Sequence, residues 1–240
     1  MSAPGGTRGT VLVLGVGTGL GPAVARRFGR EGYRVALVAR NRDRLAALAA
    51  QLAGEGVEAA PFTADLSRPA EVPELVERVR ARFGRIDVVV FAPLDLAGFT
   101  PAAELTAQAA GRLVDLYYLT PVALVRAALD ELRGGGSVLI AQSVSATEPA
   151  PDLSGIGPAM AATRNYAQSL AAEVARHGVH VATLQIGGMI TGSAVHAALR
   201  SGAIDPDVDF PELDPADVAE ELWRSHTARD RPDGRFPPLG

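Results

Sequence analysis

TVLVLGVGTGLGPAVARRF, residues 10–28, sets a short apolar run against a glycine cluster and then a helical pattern. Residues 10–14 read as a buried parallel strand, because an apolar run without polar alternation needs cover on both faces. Gly15, Gly19 and Gly21 follow in a G-x-x-x-G-x-G spacing, with Gly17 as an extra glycine. Glycines there let the chain turn tightly and let a ligand reach the backbone, with a positive helix N-terminus behind it. They also serve a plain strand-to-helix turn. The strand before them and the helix after them favour a pyrophosphate seat, with Gly15, Gly17, Thr18, Gly19, Leu20 and Gly21 as its candidate contacts.

Outward from this segment the pattern repeats. Apolar runs at residues 34–39, 86–91, 137–141 and 179–186 alternate with helical stretches at 21–31, 42–55, 69–82, 106–132 and 158–177. Such alternation predicts an α/β fold: a single-domain Rossmann fold over residues 1–240, doubly wound, with a parallel sheet and helices on both faces. The tail from Gly192 differs, with a helical piece at 193–201, a Pro/Asp-rich loop at 204–215 and a helix opened by Asp214-Pro215. Aspartate before proline is a strong helix start. Long loops in such folds are usually functional, so residues 192–213 form the candidate substrate lid.

Composition bounds the chemistry. The 240 residues are 48% hydrophobic and 21% charged with a net charge of −4, which gives nucleic acid or an anionic membrane no purchase. No cysteine is present, so disulfides, thiolate nucleophiles and thiolate-held metals are excluded, and no metal site is expected. All 23 basic residues are arginine, which removes lysine-based amine chemistry. GC-rich codon usage explains the same depletion without altering its consequence. The opening MSAPGGTRGT has no apolar core and no run suits a membrane span, so a cytoplasmic protein is expected.

The second strand ends Ala39-Arg40-Asn41, where a dinucleotide site selective for NAD often carries an acid for the ribose hydroxyls. Arg40 instead offers a guanidinium to a 2′-phosphate, so NADP(H) is expected over NAD(H). A solvated arginine beside Arg42 and Arg44 is the alternative. Asp65 and Leu66 follow the third strand position and suit adenine contact, though Asp65 is equally natural as a helix cap.

These residues resemble the short-chain dehydrogenase/reductase family along nearly the whole chain. SVLIAQSVSA, residues 137–146, resembles the family's strand with the catalytic serine, and residues 169–191 resemble its next helix, strand and cofactor-contacting turn. The resemblance implies roles for Ser143, for Gly187 and Thr191 at the nicotinamide amide, and for Ala92 beneath it. It also implies an Asn-Ser-Tyr-Lys tetrad, and there the chain departs: Tyr117, Ile156 and Met160 stand at the asparagine, tyrosine and lysine positions. Phe91-Ala92-Pro93 replaces the usual Asn-Ala-Gly. An unassisted phenol near pKa 10 is a poor base, so loss of the lysine matters as much as loss of the tyrosine.

Substitute groups each carry a plain alternative. Tyr117 is a candidate proton donor or an aromatic filler; Arg164 a replacement cation or a surface arginine; Glu148 and Asp152 loop acids or solvated residues; His196 a lid acid or an idle side chain. Three functions follow. One is an NADP(H)-dependent oxidoreductase of unusual mechanism, acting on an activated, apolar small molecule that needs little proton donation. Another is a non-redox lyase, isomerase or cyclase on the same scaffold. The third is a non-catalytic NADP(H)-binding sensor or an inactive subunit of a hetero-oligomer. The resemblance further implies a homodimer or homotetramer.

Overall fold

The computed structural model describes residues 8–204 and 210–238. Its main strands are β1 (Gly9–Leu14), β2 (Tyr33–Ala39), β3 (Ala59–Thr63), β4 (Val88–Phe91), β5 (Ser137–Ser143) and β6 (His180–Ile186). With β9 (Asp233–Phe236) they form one parallel sheet in the order β3-β2-β1-β4-β5-β6-β9. The chain winds outward from β1 to β3, returns to β4 on the other side of β1, and winds out again to β9. Between β1 and β4 the connections leave toward opposite faces, which opens a crevice at the carboxyl ends of the strands.

Strand alternation assigns the two faces. Val11, Val13, Val35 and Leu37 point toward α1 (Leu20–Arg30), α2 (Arg42–Gly54) and α8 (Pro215–Ala228). Leu12, Leu14, Ala36 and Val38 point toward α3 (Val72–Phe83), α5 (Thr120–Leu132) and α6 (Gly157–Val174). Both faces of the central strands are therefore dry, as their unbroken apolar runs require. The expected single α/β Rossmann-like domain is what the chain forms.

Two strands went unread in the sequence. In β3, AAPFT, only Phe62 is buried and Pro61 interrupts the run; proline is tolerated because β3 is an edge. In β9, DGRF, no residue is fully buried or strongly apolar. A short parallel pair, β7 (Met189–Ile190) with β8 (Glu212–Leu213), adds a second sheet beside α7 (Ala194–Arg200). It ties down both ends of the expected lid segment, of which residues 205–209 lie outside the described residues. The helix expected over 106–132 begins as α4 (Ala107–Val114), widens into a π-helical turn at Asp115–Leu119 and continues as α5. Tyr117 sits in that turn and points inward, 2% exposed. A π turn displaces main-chain carbonyls from their usual donors, and the hydroxyl of Thr163 on α6 donates to the Tyr117 carbonyl. Among the described residues no helix is long and apolar enough to cross a membrane, and no group of three acidic or histidine side chains is placed to hold a metal.

Candidate functional site

Each glycine after β1 has its own reason. Gly15 adopts φ +86°, and a Cβ on it would lie 2.4 Å from the Pro93 nitrogen after β4. A Cβ on Gly21 would lie 2.7 Å from Val16 Cα, so its absence lets α1 pack against the strand end. Gly17 faces open space. The Gly19 cap of α1 provides no side-chain hydrogen bond, and no acid lies in the helix's first turn. The first amides of the helix thus face a cradle free of side chains and of negative charge, which suits a phosphate. Fit to a dinucleotide is met here.

Beside the cradle, a crevice of about 760 Å³, including its part open to solvent, runs over the ends of β2 and β3. Arg40, Asn41, Arg44, Asp65, Leu66 and Ser67 line it. Asn41 caps α2, its Oδ1 accepting from the Arg44 amide at 2.9 Å. Asp65 accepts from the Ser67 amide at 3.0 Å and the Ser67 hydroxyl at 2.8 Å. Partial burial pushes its carboxyl upward, but the Ser67 bonds and the charges of Arg40 and Arg68 outweigh this and hold it below its ordinary value. The exposed Arg40 has no hydrogen-bonding or ion-pair partner set out among the described residues. This end is polar and cationic.

On the other side of Gly15 and Gly17 the character reverses. A cleft of about 970 Å³, again including its open part, is walled by Ala92, Leu94, Phe99, Leu153, Ile156, Met160, Met189 and Val195, with Phe210 at its rim. Its polar lining is Thr18, Gln142, Ser143 and Ser193, and no charged residue lines it. Ser143 ends β5 and caps the short turn Val144–Ala146, its Oγ accepting from the Ser145 amide at 3.1 Å. That bond uses an acceptor lone pair and leaves the hydroxyl proton for a ligand oxygen. Met160 covers the strand end, its Sδ accepting from the Ser143 amide at 3.3 Å. Ile156 is 1% exposed, and a Cβ on Gly98 would meet its Cγ2 at 1.8 Å. The loop after β4 thus closes directly onto Ile156.

The remaining expected residues divide. Ala92 lines the apolar cleft, as do Gly188, Met189 and Ile190 between Gly187 and Thr191. Gly187 and Thr191 themselves lie just outside it, their amides donating to Phe236 O at 2.8 Å and Leu213 O at 2.9 Å. Tyr117 lies behind the wall: its hydroxyl accepts from the Asp95 amide at 2.8 Å and so holds the loop after β4 in place. Burial pushes its phenol far above the ordinary tyrosine value. Arg164 pairs with Asp233, donating from Nε to Oδ2 at 3.0 Å. Glu148 pairs with Arg235. On α7, Ser193–Val195 line the cleft, whereas His196 turns to Glu212 on β8, its Nε2 3.0 Å from Oε1. Gln142 is the lining residue that sequence reading passed over. Its signal was a lone amide ending an otherwise apolar strand.

The family model for short chain dehydrogenases matches residues 9–200. A short chain dehydrogenase of Pseudocercospora fijiensis is 30% identical over 210 residues, which are 85% of this chain and 62% of that relative's length. An alcohol dehydrogenase from the archaeon Thermococcus sibiricus, solved with 5-hydroxy-NADP, is 27% identical, with a TM-score of 0.76 over 95% of both chains. A short chain dehydrogenase from Burkholderia cenocepacia J2315, solved in complex with NADP, is 25% identical, with a TM-score of 0.78 over 94% of both chains. With the crevice at the β1–β4 switch and the glycine cradle at its floor, the match over residues 9–200 shows that this chain belongs to the short-chain dehydrogenase family.

Proposed function

We propose that the protein is an NADP(H)-dependent oxidoreductase that reduces an activated, apolar small molecule without the family's usual tyrosine–lysine relay. One observation carries this reading: the cationic crevice and the apolar cleft share Gly15, Gly17, Pro93 and Leu94, so one extended ligand spans both. Arg40, with Arg44 beside it, would grip a 2′-phosphate; Asp65 and Leu66 would flank the adenine; Gly17, Thr18 and Gly19 would offer main chain to the pyrophosphate. The NADP in the relatives' structures supports the choice of dinucleotide. When bound, the nicotinamide supplies the hydride.

The protein's own work follows from the cleft. Ala92, Met189 and Ile190 exclude water from the reacting end. Ser143 donates its free proton to the acceptor's oxygen and orients it. In this reading Ile156 and Met160 stand where a phenol and an ammonium would have been, so the lining holds no strong proton donor. Enones, quinones and iminium ions need less proton donation than simple ketones and are the favoured acceptors. Tyr117 acts by holding the loop after β4, and the segment 192–213 acts as the lid, with Ser193 against Gly19. Self-association belongs to the same reading. Val114 and Leu119 stand exposed along the α4–α5 path, near the Tyr118–Tyr166 edge contact.

Titration with NADPH and NADH, followed by nicotinamide fluorescence, tests the first part. Arg40→Ala is expected to weaken NADPH binding roughly 10- to 100-fold, the effect of losing a charged forked contact, while NADH binding changes by no more than about twofold. Equal losses for both nucleotides would place Arg40 outside the phosphate site. The second part is tested by offering the NADPH complex quinones, enones, iminium ions and ketones. Oxidation by activated acceptors supports the reductase; binding without oxidation across the panel assigns a sensor or a non-redox enzyme.

A further inference from the structure

The wall of the apolar cleft contains a polar group that hydride transfer does not use. Gln142 lies beside Ser143 on β5, lines the cleft and is 4% exposed. Its Nε2 donates to Gln185 Oε1 on β6 at 2.9 Å. Gln185 Nε2 donates in turn to Thr183 Oγ1 at 3.0 Å and to Asp233 Oδ1. Arg164 donates to Asp233 Oδ2 at the outer end of the row. At the inner end Gln142 Oε1 is buried with no hydrogen-bond partner.

The row runs in one direction only. Asp233, ion-paired with Arg164, accepts and does not donate. Gln185 must therefore turn its amino group toward Asp233, which leaves its oxygen facing Gln142. Gln142 must answer with its own amino group. Turning either amide would set two oxygens against each other. The ion pair thus fixes Gln142 Oε1 as a lone acceptor in the cleft wall, and buried acceptors in native structures are normally satisfied.

We propose that Gln142 is a substrate-recognition residue, its Oε1 accepting a hydrogen bond from an O–H or N–H of the ligand in the apolar cleft. Resting on the reductase reading, this narrows the substrate class to apolar acceptors that also bear a hydroxyl or N–H donor. Arg164 and Asp233 are positioning residues that set the polarity of the amide row. The carboxamide of the nicotinamide carries the same donor chemistry, so the test separates the two sources.

Matched probes differing only in that donor are measured by calorimetry on the NADPH-saturated protein: 1-naphthol against 1-methoxynaphthalene, and indole against N-methylindole. The donor-bearing member is expected to bind roughly tenfold tighter, as a ligand able to satisfy a buried acceptor should. Gln142→Met is expected to level each pair. Asp233→Asn, which frees the amide row to turn, is expected to level or reverse them, an effect that simple loosening of the fold does not produce. Equal binding within both pairs by the parent protein, no binding of any probe, or a preference that survives Gln142→Met each overturns the proposal. If Gln142→Met does not fold, the parent pairs and Asp233→Asn decide. NADPH binding that weakens about tenfold in Gln142→Met, with the parent showing no probe preference, assigns the acceptor to the cofactor instead. Probe preference without any NADPH binding, measured on the nucleotide-free protein, leaves Gln142 in place and removes the reductase reading.

Discussion

Ile156→Tyr combined with Met160→Lys is expected to lower the stability by roughly 3–5 kcal/mol and to yield no reductase for simple ketones. The proposed site is apolar by construction and is more than a tetrad with two side chains exchanged. Ile156 is 1% and Met160 2% exposed, and Gly98 packs so closely on Ile156 that even a methyl group on the glycine has no room. A phenol at 156 must push the loop after β4 away from α6. An ammonium at 160 would sit beside the Ser143 amide with no carboxylate in the cleft lining to pair with it. Desolvation of such a lysine lowers its pKa by up to about 3–5 units, leaving it neutral near pH 7, where a phenol relay needs a cation. Urea unfolding measures the first effect, and NADPH oxidation with acetophenone measures the second. A double variant of near-parental stability that reduces acetophenone would show a pocket with room for the relay, and the apolar-acceptor reading would be withdrawn.

The parts legible in the sequence were those that local chemistry dictates. An apolar run, a glycine cluster and a helical pattern within residues 10–28 placed β1, the turn and α1 together, because each depends on neighbours in sequence. Arg40, Asn41, Asp65 and Leu66 were grouped correctly in space, since parallel strands in known order bring their carboxyl ends to one crevice. The edge strands β3 and β9 escaped notice because an edge need not be apolar on both faces. Tyr117 was placed near the relay position by counting, yet a π turn and the Asp95 amide decide where its hydroxyl lies, and neither has a local sequence signal. Gln142 shows the same limit more sharply. Its meaning depends on Gln185, Asp233 and Arg164, which lie 43, 91 and 22 residues away along the chain and meet only through strand register and helix packing.

Acid is expected to loosen the fold through one histidine, well before the carboxylates titrate. His226 on α8 is 9% exposed, among Phe28, Tyr33 and Trp223. Its Nδ1 lies 2.9 Å from Ser137 Oγ on β5 and its Nε2 2.9 Å from Tyr33 OH on β2, so the neutral ring ties the helix to two strands. Burial above all, then the charges of Arg229 and His180, push its pKa down to about 4. Unfolded, the ring takes up its proton near pH 6.5, whereas the folded protein resists until about pH 4. The stabilisation is therefore complete above pH 6.5 and is lost as pH falls through that window. It amounts to about 3 kcal/mol in all, of which roughly 2 is gone by pH 5. His180, also pushed down by burial, adds to the same trend. Urea midpoints at pH 7.5, 6.0 and 5.0 measure the slope. His226→Asn is expected to be less stable at pH 7.5, through its lost packing and hydrogen bonds, but to show a much flatter dependence over the same range. An equally steep slope in the variant would move the titrating group elsewhere. Because α8 packs on α1, the loss would first free the helix whose N-terminus forms the nucleotide cradle, so bound NADPH should raise the pH 5 midpoint by more than its affinity at pH 7.5 predicts only if acid opens that contact locally rather than the whole domain at once.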